Sequence, residues 1–480
     1  MVISSTDNDN MLEQRKSKTL KDFNNLILLV FAYACLMSST TLVVGTCAVV
    51  ILSFDENKDY TNIAPMTLAS FSIGTAFISL VTTSFVFKNG RKMGFLIGSC
   101  LGMTGAFLGA ISIWKKSVPL LMCSYVPLGA ANGIGNYIRF AAVEVVPKGS
   151  EALAVTLVLC GGVISAFVGP EAAQATKYLF GDYYLYLGIY LMIAIFNICM
   201  AALVSLTTFP EENKHTKEES TSSTGNISRN KETDESLDAV KIKETNLDSS
   251  YGSMIMSREF WVPAILSALF WGIMFMPMSI VRIAMRDGGY TSRQSLTVIE
   301  IHFVGMFGPG FLSGKMIKRF GSMPTIWFAF MLFIVGLLFN IFSQALESGG
   351  NMYMFAIGLF LLGAGWNFGF PASTLLLTKV YANDMKMKSK IQSSHDFIMF
   401  VLAGIIVVTA GYIYASQNHN TNSGCDELCG WKTVNYATLG YTLVLLLAIG
   451  FEYSSLYCER KTLSRTVTNS ETSTSKEIDC

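Results

Sequence analysis

The chain has 480 residues, of which 51% are hydrophobic and 14% charged, with a net charge of +1 and a mean hydropathy of +0.44. Soluble domains carry roughly 25% charged residues, and a water-soluble globule of this size has no means of hiding so much apolar surface. The balanced charge excludes a nucleic-acid partner held by bulk basic character, so Lys and Arg matter here through their placement.

Residues 1–23 form a polar tail without the apolar core of a signal peptide. Apolar runs follow at 24–54, 63–87, 93–113, 118–142, 152–176 and 184–207, and again at 260–282, 294–314, 323–345, 353–379, 391–416 and 433–457. About 20 helical residues cross a hydrocarbon core of about 30 Å. Backbone groups in lipid must bond within their own segment, so each run predicts a transmembrane helix. The short alternating segments of an outer-membrane barrel are absent from the sequence. The expected architecture is an all-α membrane protein of twelve spans, with a tail at 1–23, six-helix bundles at 24–207 and 258–457, and a tail at 458–480. The stretch 208–257 between the bundles is rich in Ser, Thr, Asn, Lys and Glu, too polar to bury a core, and reads as a disordered tether.

Cationic residues alternate between the two sides of this topology. Arg15, Lys16, Lys18 and Lys21, then Lys88, Arg91 and Lys92, Lys148, Lys315, Lys318 and Arg319, and Lys386, Lys388 and Lys390 all fall on the side of the termini. The other side is poorer, which predicts cytosolic termini in a plasma or organelle membrane. Ten Cys are scattered, mostly inside spans. Cys425 and Cys429 share a polar loop where a local disulfide is one reading; a metal site needs more ligands than the loop offers, so neither metal nor cofactor is expected.

The two sets of spans resemble each other. Gly90, between spans two and three, and Gly321, between spans eight and nine, are 231 positions apart, and Gly129 in span four and Gly363 in span ten are 234 apart. A nearly constant offset across separate helices points to duplication of a six-helix unit, with a solute cavity at the midplane between the halves.

These features resemble the major facilitator superfamily over essentially all twelve spans. Gly90, Arg91 and Lys92 fit the loop that follows span two in that family, although Thr83 and Phe87 stand at its first Gly and its Asp. The second copy keeps Gly314, Arg319 and Gly321, with Lys318 at the Asp position. A poorly characterised bacterial-type group within the superfamily is more similar still. The resemblance rests on Arg139-Phe140-Ala141-Ala142, Gly161-Gly162, Gly169-Pro170-Glu171, His302 to Pro309, Gly365-Trp366-Asn367-Phe368 and His395-Asp396-Phe397. It implies two six-helix bundles with pseudo-twofold symmetry that rock around a central cavity, and cytosolic loops that latch the gate. The Arg that many proton-coupled drug exporters carry in span four is replaced by Tyr125, so the resemblance leans away from such an exporter.

Tyr125, Asn132, Asn136 and Arg139 recur at helical spacing along span four, so they are expected on one inward face, lining a cavity or bonding a neighbouring helix. Trp366 and Asn367 lie midway along span ten, its counterpart, where stacking on a solute and close packing are equal alternatives. Asp396 sits about 9 Å inside its helix end by the helical rise, as a candidate proton carrier or latch, while His395 projects about 100° away. Glu300 with His302 nearby, and Glu171 with Arg282, are further coupling or gating candidates. Arg139, near the cytosolic end of its span, is a candidate to gate or to attract an anion, and boundary snorkelling is the plainer account of both Arg139 and Arg282. Gly169-Pro170 and Gly308-Pro309-Gly310 are expected to interrupt their helices.

No phosphate-cradling loop, His-Glu-x-x-His or Gly-x-Ser-x-Gly is present. An ATP-driven pump and an enzyme are therefore not expected. The sequence predicts a monomeric secondary active or facilitative transporter of a small organic solute, with lipid and solute as partners and a proton as candidate coupling ion. A solute-sensing receptor on the same fold is the alternative.

Overall fold

The computed structural model describes residues 5–54, 60–82, 88, 90–147, 150–209, 251–345, 349–381, 387–418 and 428–476. Thr83, Phe87, Lys148, Lys386, Cys425 and residues 210–250 of the expected tether lie outside the described residues.

Among the described residues the chain's secondary structure is all helical. Its first half holds α1 (Ser5–Leu52), α2 (Met66–Val81), α3 (Arg91–Lys115), α4 (Val118–Gly135), α5 (Ile138–Glu144), α6 (Glu151–Thr176) and α7 (Leu187–Leu206). The second holds α8 (Arg258–Asp287), α9 (Ser292–Phe307), α10 (Gly310–Phe320), α11 (Ser322–Ile341), α12 (Met352–Leu376), α13 (Lys388–Asn418) and α14 (Cys429–Lys476). Taking α4 with α5 and α9 with α10 as single spans, eleven helices among the described residues are long and apolar enough to cross a membrane, and the shorter apolar α2 makes twelve. Large apolar side chains such as Phe107, Leu447 and Phe451 face outward, as lipid contact requires. The chain is a multi-pass integral membrane protein.

Glycines set the packing in both halves the same way. A side chain at Gly74 would strike the Val126 carbonyl and one at Gly129 the Phe71 carbonyl, so α2 and α4 meet backbone to backbone. In the second half Gly305 lies against the Phe360 carbonyl and Gly363 against that of His302, joining α9 to α12. Gly74 and Gly305 are 231 positions apart, Gly129 and Gly363 are 234 apart, so the repeat in sequence is a repeat of helix contacts. Between the halves, α2 packs on α13, α6 on α9, and α1 on α8.

Two expectations about helix continuity change. The face running from Tyr125 to Arg139 is broken: α4 ends at Gly135, Asn136 and Tyr137 form a turn, and Arg139 belongs to α5. Conversely, α6 runs unbroken through Gly169-Pro170. Gly169 there lets α6 press against Ser38 and Thr41 of α1. The interruption at Gly308-Pro309 is present, between α9 and α10.

Candidate functional site

Midway along α8 and α12 the second half gathers an aromatic cluster. Trp271 meets Trp366 edge to face with ring centres 4.8 Å apart. Phe275, Phe370 and Phe400 surround Trp271 at 4.8, 5.7 and 5.1 Å, and Phe370 stacks on Trp366 at 5.5 Å and 10°. The cluster borders the other half, where Ala76 of α2 packs beside it and Phe77 meets Phe397 at 5.7 Å. The indole N–H groups of Trp271 and Trp366 are both buried without an acceptor. A buried donor left unpaired costs about 1–3 kcal/mol, so two at one place mark a site that lacks a polar partner.

The opposing half is polar at the matching position. Asn132 accepts a hydrogen bond of 3.1 Å from Thr40 of α1, and Thr40 and Asn132 stand 231 and 234 positions before Trp271 and Trp366. Asn136 is half-buried at the turn after α4. Tyr125 is buried away from this centre, its hydroxyl 3.2 Å from that of Tyr190. Asn367 turns from Trp366 to donate to the Met306 carbonyl, joining α12 to α9. The structure therefore brings Asn132 and Trp366 to equivalent points of the two halves, and separates Tyr125 and Asn367 from them.

One turn below the cluster, toward the end of the bundle that carries the termini, lies a chain of polar groups that sequence reasoning missed. Asp396 Oδ1 is 3.1 Å from His395 Nδ1. His395 Nε2 is 3.2 Å from Ser267 Oγ, which is 2.9 Å from Ser373 Oγ. The expected divergence of His395 from Asp396 holds at their Cα atoms only, because the imidazole turns back to meet the carboxylate.

At the opposite, distal end the halves are tied together. Arg282 is buried, not snorkelling: its guanidinium donates to the Gly45 carbonyl of α1 at 2.8 Å and reaches the Ser292 and Ser295 hydroxyls at 3.3 and 3.4 Å. It borders a small cavity lined also by Thr46, Gln174, Lys177 and Tyr186. Glu171 pairs with Arg293 at 2.6 Å and not with Arg282, which corrects the expected partner. Glu300 is buried beside this pair with one carboxylate oxygen unpartnered. His302 is fully buried and donates Nδ1–H to the Leu359 carbonyl at 2.7 Å, again holding α9 to α12.

At the terminal end the loop residues serve their own halves. Gly90 and Gly321 adopt φ of 96° and 87° at the starts of α3 and α11, a conformation that favours glycine. Arg91 forms a two-pronged pair with Glu144 of α5, at 2.7 and 3.2 Å. Lys92 is half-buried, a side chain at Gly314 would meet open space, and Arg319 lies over the Phe320 ring at 5.3 Å. Arg139 lies over Phe140 at 4.9 Å, its Nε buried without a partner. Among the described residues no group of three or more His, Cys, Asp and Glu could hold a metal ion.

The model of the Major Facilitator Superfamily matches residues 27–407. A riboflavin transporter of Brucella anthropi is 24% identical over 426 residues, which is 88% of this chain and 94% of that protein. An uncharacterised MFS-type transporter of Bacillus subtilis, YdeG, is 24% identical over 72% of this chain and 78% of its own length. Among solved structures, a D-xylose–proton symporter superposes with a TM-score of 0.59 at 13% identity, covering 87% of this chain and 96% of that one. The nucleoside transporter NupG does so at 0.58 and 12%, covering 90% and 99%. With two packed six-helix halves meeting at a central polar–aromatic boundary and a family match across most of its length, the chain belongs to the Major Facilitator Superfamily and moves a small organic solute across a membrane by alternating access.

Proposed function

We propose that the solute is a flat heteroaromatic molecule, riboflavin or one of similar shape, held against Trp271 and Trp366 at the middle of the bundle. The observation that carries this reading is the pair of buried, acceptorless indole N–H groups among stacked rings. A planar ring bearing carbonyl or ring-nitrogen acceptors supplies both a stacking face and the missing acceptors. Similarity to the riboflavin transporter of Brucella anthropi supports the same class. Asn132 of the facing half is placed to contact the solute's polar edge once the halves part around it.

In this reading residues 24–207 and 258–457 are the two moving units, joined by a cytosolic tether at 208–257, and a single copy of the chain suffices. The Lys and Arg asymmetry puts both termini in the cytosol, so the tied distal end faces outward or into an organelle lumen. The test is uptake of radiolabelled riboflavin by cells and quenching of riboflavin fluorescence by purified protein. Trp366→Ala is expected to weaken binding about tenfold, which is about 1.4 kcal/mol and lies within the range of about 1–3 kcal/mol for stacking of a base on an aromatic side chain. Absence of both uptake and quenching by the intact chain sinks the proposal.

A further inference from the structure

We propose that the pair formed by His395 and Asp396 is the binding site of a coupling proton, with Ser267 and Ser373 as hydroxyls that reorient when the proton is bound. The proposal rests on the aromatic cluster being the solute site, because the chain of polar groups lies directly beneath it. Ser267 is one turn from Trp271 on α8, and Ser373 one turn from Phe370 on α12.

With Asp396 ionised, one arrangement of hydrogens satisfies every contact of the neutral imidazole. An ionised Asp396 only accepts, so His395 Nδ1 carries the hydrogen across their 3.1 Å contact. Nε2 is then an acceptor, and the Ser267 hydroxyl, 3.2 Å away, donates to it. Ser373 in turn donates to Ser267 across 2.9 Å. Uptake of one proton forms an N–H bond at Nε2, which now donates to Ser267 Oγ. The Ser267 hydroxyl turns to Ser373, and the Ser373 hydroxyl turns to the Phe370 carbonyl, also 2.9 Å away. No other bond is made or broken. Every member is paired before and after, and the positive imidazolium has Asp396 as its counter-ion.

A histidine retained only for packing has no need of such a reversible chain. His302 shows the contrast within the same molecule: it gives Nδ1–H to a backbone carbonyl and its Nε2 is buried with no partner, so an added proton there would have nowhere to donate. His395 itself is fully buried, whereas the Asp396 side chain is 32% exposed. Tyr137 of the other half lies close to Asp396 and Ser393. Tyr251 meets the Ser394 hydroxyl at 2.6 Å and lies under the Lys390 ammonium at 5.8 Å, and Arg139 and Arg91 lie near Tyr137. The proton's charge therefore sits between the solute site and the contact that α13 makes with the other half, where it acts on both.

The experiment uses the full chain in proteoliposomes with riboflavin as probe, reading accumulation driven by a pH gradient beside counterflow exchange at equal pH. His395→Gln is expected to reduce gradient-driven accumulation at least tenfold more than it reduces counterflow, and Asp396→Asn to do the same. Equal losses of both, or wild-type uptake that moves no proton, overturn the proposal while leaving the solute reading intact. A second measurement needs no solute. In protein labelled with 15N-histidine, the His395 signal, assigned by its absence in His395→Gln, is expected to show one ring N–H at high pH and two at low pH. A ring that keeps one N–H until the protein unfolds overturns the proposal even if riboflavin proves to be the wrong probe.

Discussion

The two halves share a scaffold and differ in what they mount on it. Gly74 with Gly129 and Gly305 with Gly363 bring the same pair of helices together in each. At the point where the first and fourth helices of each half meet, the first half places a Thr40–Asn132 hydrogen bond and the second a Trp271–Trp366 ring contact. The second half alone adds the Asp396–His395–Ser267–Ser373 chain and supplies the buried Arg282 that reaches across to Gly45. Close backbone approach constrains both copies alike, since any side chain at those glycines meets a carbonyl. The residues facing the centre are free of that constraint, and there the copies have diverged into one polar and one aromatic wall.

The largest expected effects break what the halves share. Gly129→Leu and Gly363→Leu each force a side chain into facing backbone, at a cost of about 3 kcal/mol or more. Both are expected to abolish most folded protein on detergent gel filtration, and to similar degrees. Tolerance of one and not the other would mean that the two halves are not packed alike. Next comes a feature of the second half alone. Arg282→Met removes a bond across the halves, and hydrogen bonds to charged groups are worth about 1.5–3 kcal/mol. Cys47, buried two residues beyond Gly45, is expected to react roughly ten to a hundred times faster with an impermeant maleimide in that variant, with the other cysteines replaced. An unchanged rate would show that Arg282 does not hold the distal end shut. The centre ranks third: Asn132→Ala is expected to weaken solute binding less than about threefold, against the tenfold loss in Trp366→Ala. Thr40 still bonds the Leu36 carbonyl when Asn132 is removed, so little is left unpaired. A larger loss in Asn132→Ala would move the principal solute contact to the first half.

The spans were legible because lipid leaves a helix no alternative to about 20 apolar residues, and the glycine offsets already carried the contact pattern of both halves. The break after Gly135 was not legible, since the residues around Asn136 and Tyr137 are as apolar as a continuous helix needs. Pro170 and Pro309 look alike in sequence, yet only the latter, with glycine on both sides, releases its backbone from the helix. At the centre, helical spacing pointed to Asn132, and a place midway along the counterpart span pointed to Trp366. Trp271 was missed because an aromatic residue in a span faces lipid as readily as it faces a partner. The offsets of 231 and 234 that pair it with Thr40 were the available signal. His395 was set aside because neighbouring Cα atoms diverge around a helix, a rule that says nothing about a ring long enough to fold back on the next carboxylate.

The smallest effect separates the two arginines that link the halves at the distal end. Arg293 and Glu171 are 51% and 48% exposed in their side chains, and an exposed ion pair is worth about 0–1 kcal/mol and weakens with salt. Glu171→Gln is therefore expected to change transport and Cys47 labelling less than about fivefold, with the difference shrinking as salt is raised. Buried Arg282 has no such screening, so its variant keeps its effect at every ionic strength. If Glu171→Gln matched Arg282→Met in size and ignored salt, the exposed pair would be acting through its buried neighbour Glu300, whose carboxyl lies against Glu171 across the same contact between the halves. The distal end would then owe its closure to a three-residue cluster on α6 and α9, and the asymmetry between the halves would extend to both exits.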